Sequence, residues 1–274
     1  MTPATLAHLS DLHLGQSPRT AEVAAALVAA LLERRVDHVL VTGDVTHRGR
    51  HEELTLFCRI FAPLLGEGRV SLVPGNHDRV GQDAGRVFMG DARVDALACP
   101  GLHVVRVDST GAHNRSYLAA HGLLTAQQLE EVEAALEGAP ADAFRVVMLH
   151  HHPLPLPEES LQERLASRLG WPHAAELPLG AGLVRRCLGR ADLLLHGHRH
   201  VPWARDVEAL NGRTLRVSNA GSSTERAGFQ LYRYADGARL GEPEWVPVAA
   251  RGAAHPSPGR ALWTALQTAS ASLF

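Results

Sequence analysis

No lysine occurs in the 274 residues, and all 27 basic side chains are arginine. That excludes a Schiff-base lysine and the lysine of a phosphate-binding P-loop, because each depends on a primary amine. Cysteine is nearly as sparse: Cys58, Cys99 and Cys187 are odd in number and scattered. No disulfide framework and no zinc cluster of paired cysteines is therefore expected, and the three read as small buried hydrophobes in a reducing compartment. No apolar run approaches the ~20 residues needed to span a bilayer. No basic stretch leading into an apolar core opens the chain, so a cytoplasmic protein with no membrane partner is expected. Blocks of single-sign charge are missing too, and the net charge of −2 gives no electrostatic footing for nucleic acid as a partner. Aromatics are few: 6 Phe, 3 Tyr and 4 Trp are together outnumbered by 17 His. Imidazole is the commonest metal ligand and the usual acid–base at neutral pH, so that surplus has to be located.

The rest of the composition, 45% hydrophobic and 20% charged, fits a globule with a sizeable core. Strand and helix signals alternate through the first two thirds. Residues 4–10 read as a short buried strand, and Ser17-Pro18 opens an Ala-rich helix through Arg35, with proline at the first helical position. Strands at 36–41 and 70–73 flank a helical stretch at 50–65, and Pro74-Gly75 stops the second. Weak signals over 79–98 predict a small helical excursion. A strand at 102–107, a helix at 126–137 behind the capping pair Thr125 and Gln128, and strands at 145–149 and 193–195 follow. After residue 200 the pattern becomes short strands near 203–209, 213–219, 228–234 and 244–248. A domain over 1–250 and a helical tail over 251–274 are expected, the tail carrying an apolar stripe of Leu262, Trp263, Leu266 and Leu273. That stripe docks on its own domain or on a second copy, leaving monomer and homodimer both open. Alternating units followed by a run of strands give helices packed around a layered sheet, where ligands gather beyond the carboxyl ends of strands.

Five motifs sit there. Asp11 and His13, two apart after the first strand, project to one side if extended, and carboxylate plus imidazole suits a first-row metal. The second strand ends in Gly43-Asp44; the glycine allows a tight turn, and a carboxylate with about four lone-pair sites can bridge two ions. The third ends in Gly75-Asn76-His77-Asp78, whose adjacent imidazole and carboxylate could work as an oriented acid–base pair. His150-His151-His152 and His196-Gly197-His198-Arg199-His200 close two later strands, where a core-packing role is least expected. Each motif alone has a bland reading as a turn or a solvated loop; the five together do not.

In this order the motifs resemble the calcineurin-like metallophosphoesterase superfamily, over about residues 4–220. The wording around Asp44 and Asn76 is most similar to the branch of class III cyclic-nucleotide phosphodiesterases and glycerophosphodiesterases. The resemblance implies an α/β fold, a four-layer α/β/β/α sandwich with mixed central sheets, and two divalent transition metals (Mn, Fe, Zn or Co). Carried over by position, Asp11, His13, Asp44 and His200 hold one ion, and Asp44, Asn76, His150 and His198 the other. His77 then protonates the leaving oxygen or holds the phosphate, Asp78 orients its ring, and Asn76, His77 and His151 meet the substrate. The implied reaction is in-line attack of metal-bound hydroxide on a small phosphodiester, with 3',5'-cyclic nucleotides among the candidates, or on a phosphomonoester. Repair nucleases of the same superfamily share these motifs, and Leu14-Gly15 is similar to theirs, but they carry a longer DNA-contacting region. A non-catalytic scaffold would have lost ligands, and none is missing. His47 and Arg48 either meet a phosphate or cap the next helix. Arg79 and Arg199 read as solvated, and His196 as a neighbour of the ligands. Substrate choice is assigned to the loops 79–98 and 152–180.

Overall fold

A computed structural model describes residues 3–155 and 177–249. The expected tail and most of the loop 152–180 lie outside the described residues. Strand β1 (Ala4–Leu9) leads to helix α1 (Pro18–Glu33), where the Ser17 side chain accepts from the Thr20 N–H and proline occupies the first turn. Val23, Ala24, Leu27, Val28 and Leu31 recur at helical spacing and are the buried apolar face of α1. Strand β2 (His38–Thr42) follows, then α2 (His51–Ile60), α3 (Ala62–Gly66) and β3 (Val70–Val73). The expected single helix over 50–65 is thus two, parted at Phe61 just before Pro63.

A single turn, α4 (Asn76–Arg79), and a 3-10 segment at 84–88 lead to β4 (Val94–Cys99) and β5 (Leu102–Val107). The helical excursion predicted over 79–98 is therefore corrected: its last residues, from Val94, belong to an edge strand. β4 pairs antiparallel with β5 from Val94↔Val107 to Cys99↔Leu102, and Asp95 forms an ion pair with its register partner Arg106. Alanine and aspartate are poor strand formers, and β4 is only half-buried, so cross-strand pairing rather than propensity fixes it.

Helix α5 (Ala126–Glu137), strand β6 (Phe144–Met148), helix α6 (Gly180–Cys187) and strands β7 (Leu193–His196), β8 (Trp203–Glu208), β9 (Thr214–Asn219), β10 (Gly228–Ala235), β11 (Ala238–Arg239) and β12 (Glu244–Pro247) complete the described fold. Two mixed six-stranded sheets result. One runs β11-β10-β1-β2-β3 with β12 also on β10; the other runs β4-β5-β6-β7-β9-β8. In the second, the parallel centre places Val104, Val146 and Leu193 in register. These residues join Leu6, Leu40, Leu27 and Phe57 in one core, whereas their neighbours Val105, Val147 and Leu194 join Leu129, Val132 and Leu183 of α5 and α6 in another. That period of two divides the second sheet into an inner and an outer apolar face. The layers are therefore α/β/β/α, with the two sheets face to face. Among the described residues no helix is long and apolar enough to cross a membrane.

Candidate metal centre

The site is built where β1, β2, β3, β6 and β7 end. Its backbone is unusual. Asp11 (φ 52°), His13 (45°), Asp44 (50°), His198 (76°) and His200 (52°) all occupy the left-handed region, which costs a side-chain-bearing residue of order 1 kcal/mol or more and collects at functional positions. Backbone pairing holds them there: Asp11 N–H donates to Gly43 O at 3.1 Å, and His13 N–H to Asp44 O at 2.9 Å. The Asp-x-His segment is also braced from the far end of the chain. Ser222 Oγ donates to Asp11 O (2.8 Å), Thr224 Oγ1 to Leu12 O (3.0 Å), and Ser10 N–H to Ser223 Oγ (3.1 Å).

Left-handed turns aim the side chains inward. His13 Nε2 lies 3.0 Å from His200 Nε2, and His200 Nε2 lies 3.3 Å from Asp11 Oδ1. Beside that trio, His150 Nε2 is 3.2 Å from Asn76 Oδ1, and His198 Nδ1 is 3.1 Å from the same oxygen. Asp44 joins the two groups: its Oδ2 is 3.8 Å from His13 Nε2 and 3.4 Å from His150 Nε2, while its Oδ1 accepts the His77 N–H at 2.8 Å. Gly43, at φ +84°, leaves room for this, since a Cβ there would stand 2.6 Å from His150 Nδ1.

Two observations test whether a cation fits. Asp11 Oδ1 is a buried carboxylate oxygen that no well-formed hydrogen bond satisfies, its imidazole neighbour His200 Nε2 standing 3.3 Å away, and a cation between the two would meet both. The imidazoles, moreover, are held from behind. His150 Nδ1 meets Thr42 O at 2.7 Å and His200 Nδ1 meets Glu225 Oε2 at 3.2 Å, so that in the neutral form each turns its Nε2 lone pair inward, the arrangement found behind metal-binding histidines. Burial, reinforced by neighbouring imidazoles, holds His13 and His198 well below the usual histidine range, which keeps them neutral and able to ligate. Burial would raise the Asp44 carboxyl, but His150, His77 and His13 outweigh it and hold it well below the carboxylate range. The mixed N/O donor set fits divalent transition metals.

All seven residues expected to hold metal are thus brought together, and His77 stands beside them, its ring 4.7 Å from that of His13. His77 Nδ1 donates to the His47 carbonyl at 2.8 Å, leaving Nε2 as its free edge. The expected role of Asp78 as orienter of that ring is corrected. Its carboxylate is taken up by Gly75 N–H, Thr46 N–H and Thr46 Oγ1–H at 2.7 to 2.9 Å, so it ties the Gly-Asn-His-Asp turn to the Gly-Asp turn. Burial and the nearby Asp44 charge push it up to about 6 despite these bonds. His151, expected at the substrate, lies 4.8 Å ring to ring from His198, but both of its nitrogens are engaged, by Ser109 Oγ (2.9 Å) and Ala120 O (3.0 Å). Arg79 is not solvated: it is paired with Asp108 at 2.6 Å and Asp83 at 3.2 Å. Sequence reasoning missed Glu225 and the Ser222-Ser223-Thr224 brace. The signal for them was a run of hydroxyl residues and a carboxylate between two apolar strands.

A family model described as calcineurin-like phosphoesterase matches residues 4–202. The chain belongs to that family. It is a metal-dependent phosphoric ester hydrolase, and its His and Asp clusters could bind the metals. A probable cyclic nucleotide phosphodiesterase of Pseudoalteromonas sp. (strain SM9913) is 24% identical over 219 residues, 75% of each chain. The 3',5'-cyclic adenosine monophosphate phosphodiesterase CpdA of Pseudomonas aeruginosa is 31% identical over 170 residues, 57% of this chain and 59% of that protein. Among solved structures, a dimetal phosphatase from Danio rerio aligns with TM-score 0.59 at 12% identity, covering 90% of this chain and 99% of the other. A 5'-nucleotidase precursor from Thermus thermophilus aligns at 0.58 and 15% identity over 99% of this chain and 59% of that one. At such identities the structural likeness speaks for the fold alone.

Proposed function

We propose that this phosphoesterase uses two divalent transition metals to hydrolyse a small phosphodiester, with a 3',5'-cyclic nucleotide as the leading substrate. The observation that carries the two-metal reading is Asp44 Oδ2, reached from one side by His13 and from the other by His150. Asp11, His13, Asp44 and His200 form one ligand set, and Asp44, Asn76, His150 and His198 the other. The names of the two sequence relatives support the cyclic nucleotide.

Bound metals would polarise the phosphoryl oxygens and supply a nucleophilic hydroxide near neutral pH. The protein's own contribution is position. Asn76 and His77 follow directly from β3, and the Asp44 bond to the His77 N–H fixes their turn against the metal ligands. With Nδ1 held by the His47 carbonyl, any proton that His77 exchanges passes at Nε2, which suits it to the leaving oxygen. Asp78 keeps the two turns in register and His151 holds the loop that follows β5.

The test is a kinetic screen of metal-loaded enzyme against 3',5'-cyclic nucleotides, glycerophosphodiesters, nucleoside monophosphates and aryl phosphates. The reading stands if a cyclic nucleotide has the highest kcat/KM and chelation abolishes turnover. It falls if monophosphates dominate, or if activity survives after elemental analysis finds no metal.

A further inference from the structure

His47 follows the Gly-Asp turn by three residues and belongs to neither ligand set, yet its ring stands in the site. A nitrogen of its ring lies within 4.8 Å of nitrogens of both His13 and His77, and it stacks on His77 with centroids 5.7 Å apart and planes 24° from parallel. Its Nδ1 is buried and has no hydrogen-bond partner.

His47 is also part of the wall of a cleft of about 360 Å³, lined with it by Gln16, Arg48, Arg50, Glu52 and Leu56. That volume is within the ~300–1,000 Å³ of small-molecule sites. Polar and apolar surface line it in about equal measure, and the two loops that form its walls are locked together by the Leu14↔Thr46 bridge and by His47 N–H donating to Leu14 O at 3.0 Å. Neither His47 nor Arg48 caps the following helix. Arg50 is its N-cap, and Glu53 accepts from the backbone N–H groups of Arg48 (2.8 Å) and Arg50 (3.2 Å). The charges in the cleft are unevenly matched: Arg50 pairs with Glu52 at 3.1 Å and Glu53 is spent on backbone, while the Arg48 guanidinium forms no ion pair among the described residues.

We infer that this cleft receives the organic part of the ester, and that His47 and Arg48 select a polar, hydroxyl-bearing alcohol over an aryl one. The inference rests on the phosphodiesterase reading above, because it follows from the place of His77. A group joined to an oxygen that meets His77 Nε2 has His47 beside it, and His47 is shared with the wall of the cleft. Donors from His47, Gln16 and Arg48 match the hydroxyl and ring-nitrogen acceptors of a nucleoside or a glyceryl group. Leu56 is the one apolar side chain in the cleft.

The experiment compares wild type, His47→Ala and Arg48→Ala on 3',5'-cyclic AMP, glycerophosphoethanolamine and bis(p-nitrophenyl) phosphate, with metal content measured on each protein. The His77 anchor is a backbone carbonyl, so His47→Ala does not remove it. Loss of a charged or buried hydrogen bond is worth about tenfold in affinity. The ratio of KM for the polar esters to KM for the aryl ester should therefore rise about tenfold in each variant, with two metals retained. An unmoved ratio in both variants overturns the inference. So does loss of one of the two metals per chain in His47→Ala, which would make His47 a metal ligand instead. Arg48 is exposed, so its variant reports even if His47→Ala misfolds. A wild type that cleaves the glyceryl ester but not the cyclic nucleotide defeats the cyclic-nucleotide reading and leaves the cleft standing; one that cleaves only the aryl ester defeats both.

Discussion

Replacing Glu225 by glutamine removes the charge behind His200 and keeps a side chain of the same length and a hydrogen-bond acceptor. Glu225 Oε2 sits 3.2 Å from His200 Nδ1, and the opposite nitrogen of that ring faces Asp11 and His13. Burial would lower His200, but Asp11 and Glu225 outweigh it and hold the imidazole well above its usual range. Glu225 is in turn held below the usual range, His200 overcoming its partial burial. A carboxylate in this place raises the basicity of a ligating imidazole, and its removal typically costs 10–100-fold in metal affinity. The Glu225 side chain is 48% exposed, so water screens its charge and the lower end, about tenfold, is the expected loss. Competition against a chromophoric chelator near neutral pH resolves the two binding steps. The variant should keep two ions per chain, with one step weakened about tenfold and the other unchanged. Wild-type affinity at both steps would refute the reasoning, and equal weakening of both would place Glu225 behind the whole centre rather than behind one ion.

Asp44→Asn disturbs both ligand sets and should lower turnover by roughly 10³ or more; wild-type rate and metal content in that variant would remove the bridging role. His77→Ala should keep its metals and lose roughly 10²–10⁴ in kcat, less for a nitrophenolate leaving group, and an equal loss on alkyl and aryl esters would show positioning instead of proton transfer. Gly43→Ala places a Cβ at φ +84°, 2.6 Å from His150 Nδ1, and should destabilise the fold by roughly 2 kcal/mol or more in urea titration; a cost near zero would mean the turn relaxes freely. His8, buried and bonded to Thr42 Oγ1 at 2.9 Å, is pushed down by burial to about 3 from 6.5. It folds neutral, so its contribution is complete above the unfolded value and is lost as pH falls toward the folded one, by about 1.4 kcal/mol per pH unit. His8→Gln should remove that slope from stability measured between about pH 6 and pH 4, and an unchanged slope would mean that His8 is already protonated in the fold.

The fold was legible where burial is two-sided. Runs such as Val39 to Val41 and Val146 to Leu149 are apolar because both faces of a parallel strand are covered, and the candidate ligand motifs stand out because they end those runs. β4 was illegible because one face of it is open and its pairing with β5 supplies what its own residues do not. Within the site, adjacency in sequence misled at Asp78. Its neighbour His77 looked like its partner, but the single turn of α4 points the carboxylate back into Thr46 and Gly75, so a backbone carbonyl orients the imidazole. Glu225 and Ser222 were hidden for the opposite reason. They lie more than 20 residues from the nearest ligand motif, or over 200 from Asp11, and are made neighbours by β10 pairing antiparallel with β1.

That pairing explains why the strained candidate ligands hold their shape. Five left-handed residues at roughly 1 kcal/mol or more each amount to a sizeable part of the ~5–15 kcal/mol by which a domain is stable. Isolated turns would relax. Here Asp11 and His13 are hydrogen-bonded to the Gly-Asp turn, Asp78 binds that turn to Asn76 and His77, and Ser222 and Thr224 cover the carbonyls of Asp11 and Leu12. Each turn is held by the others, so strain at one is opposed by bonds at several. Substitutions in the brace should therefore behave like substitutions in the ligands. Ser222→Ala removes a buried donor to Asp11 O and to no metal-facing atom. It frees Asp11 to leave its left-handed conformation, and its effect should appear as weaker metal binding before it appears as lower stability. A Ser222→Ala variant that unfolds more easily but binds metal as tightly as wild type would show that the brace serves the fold alone.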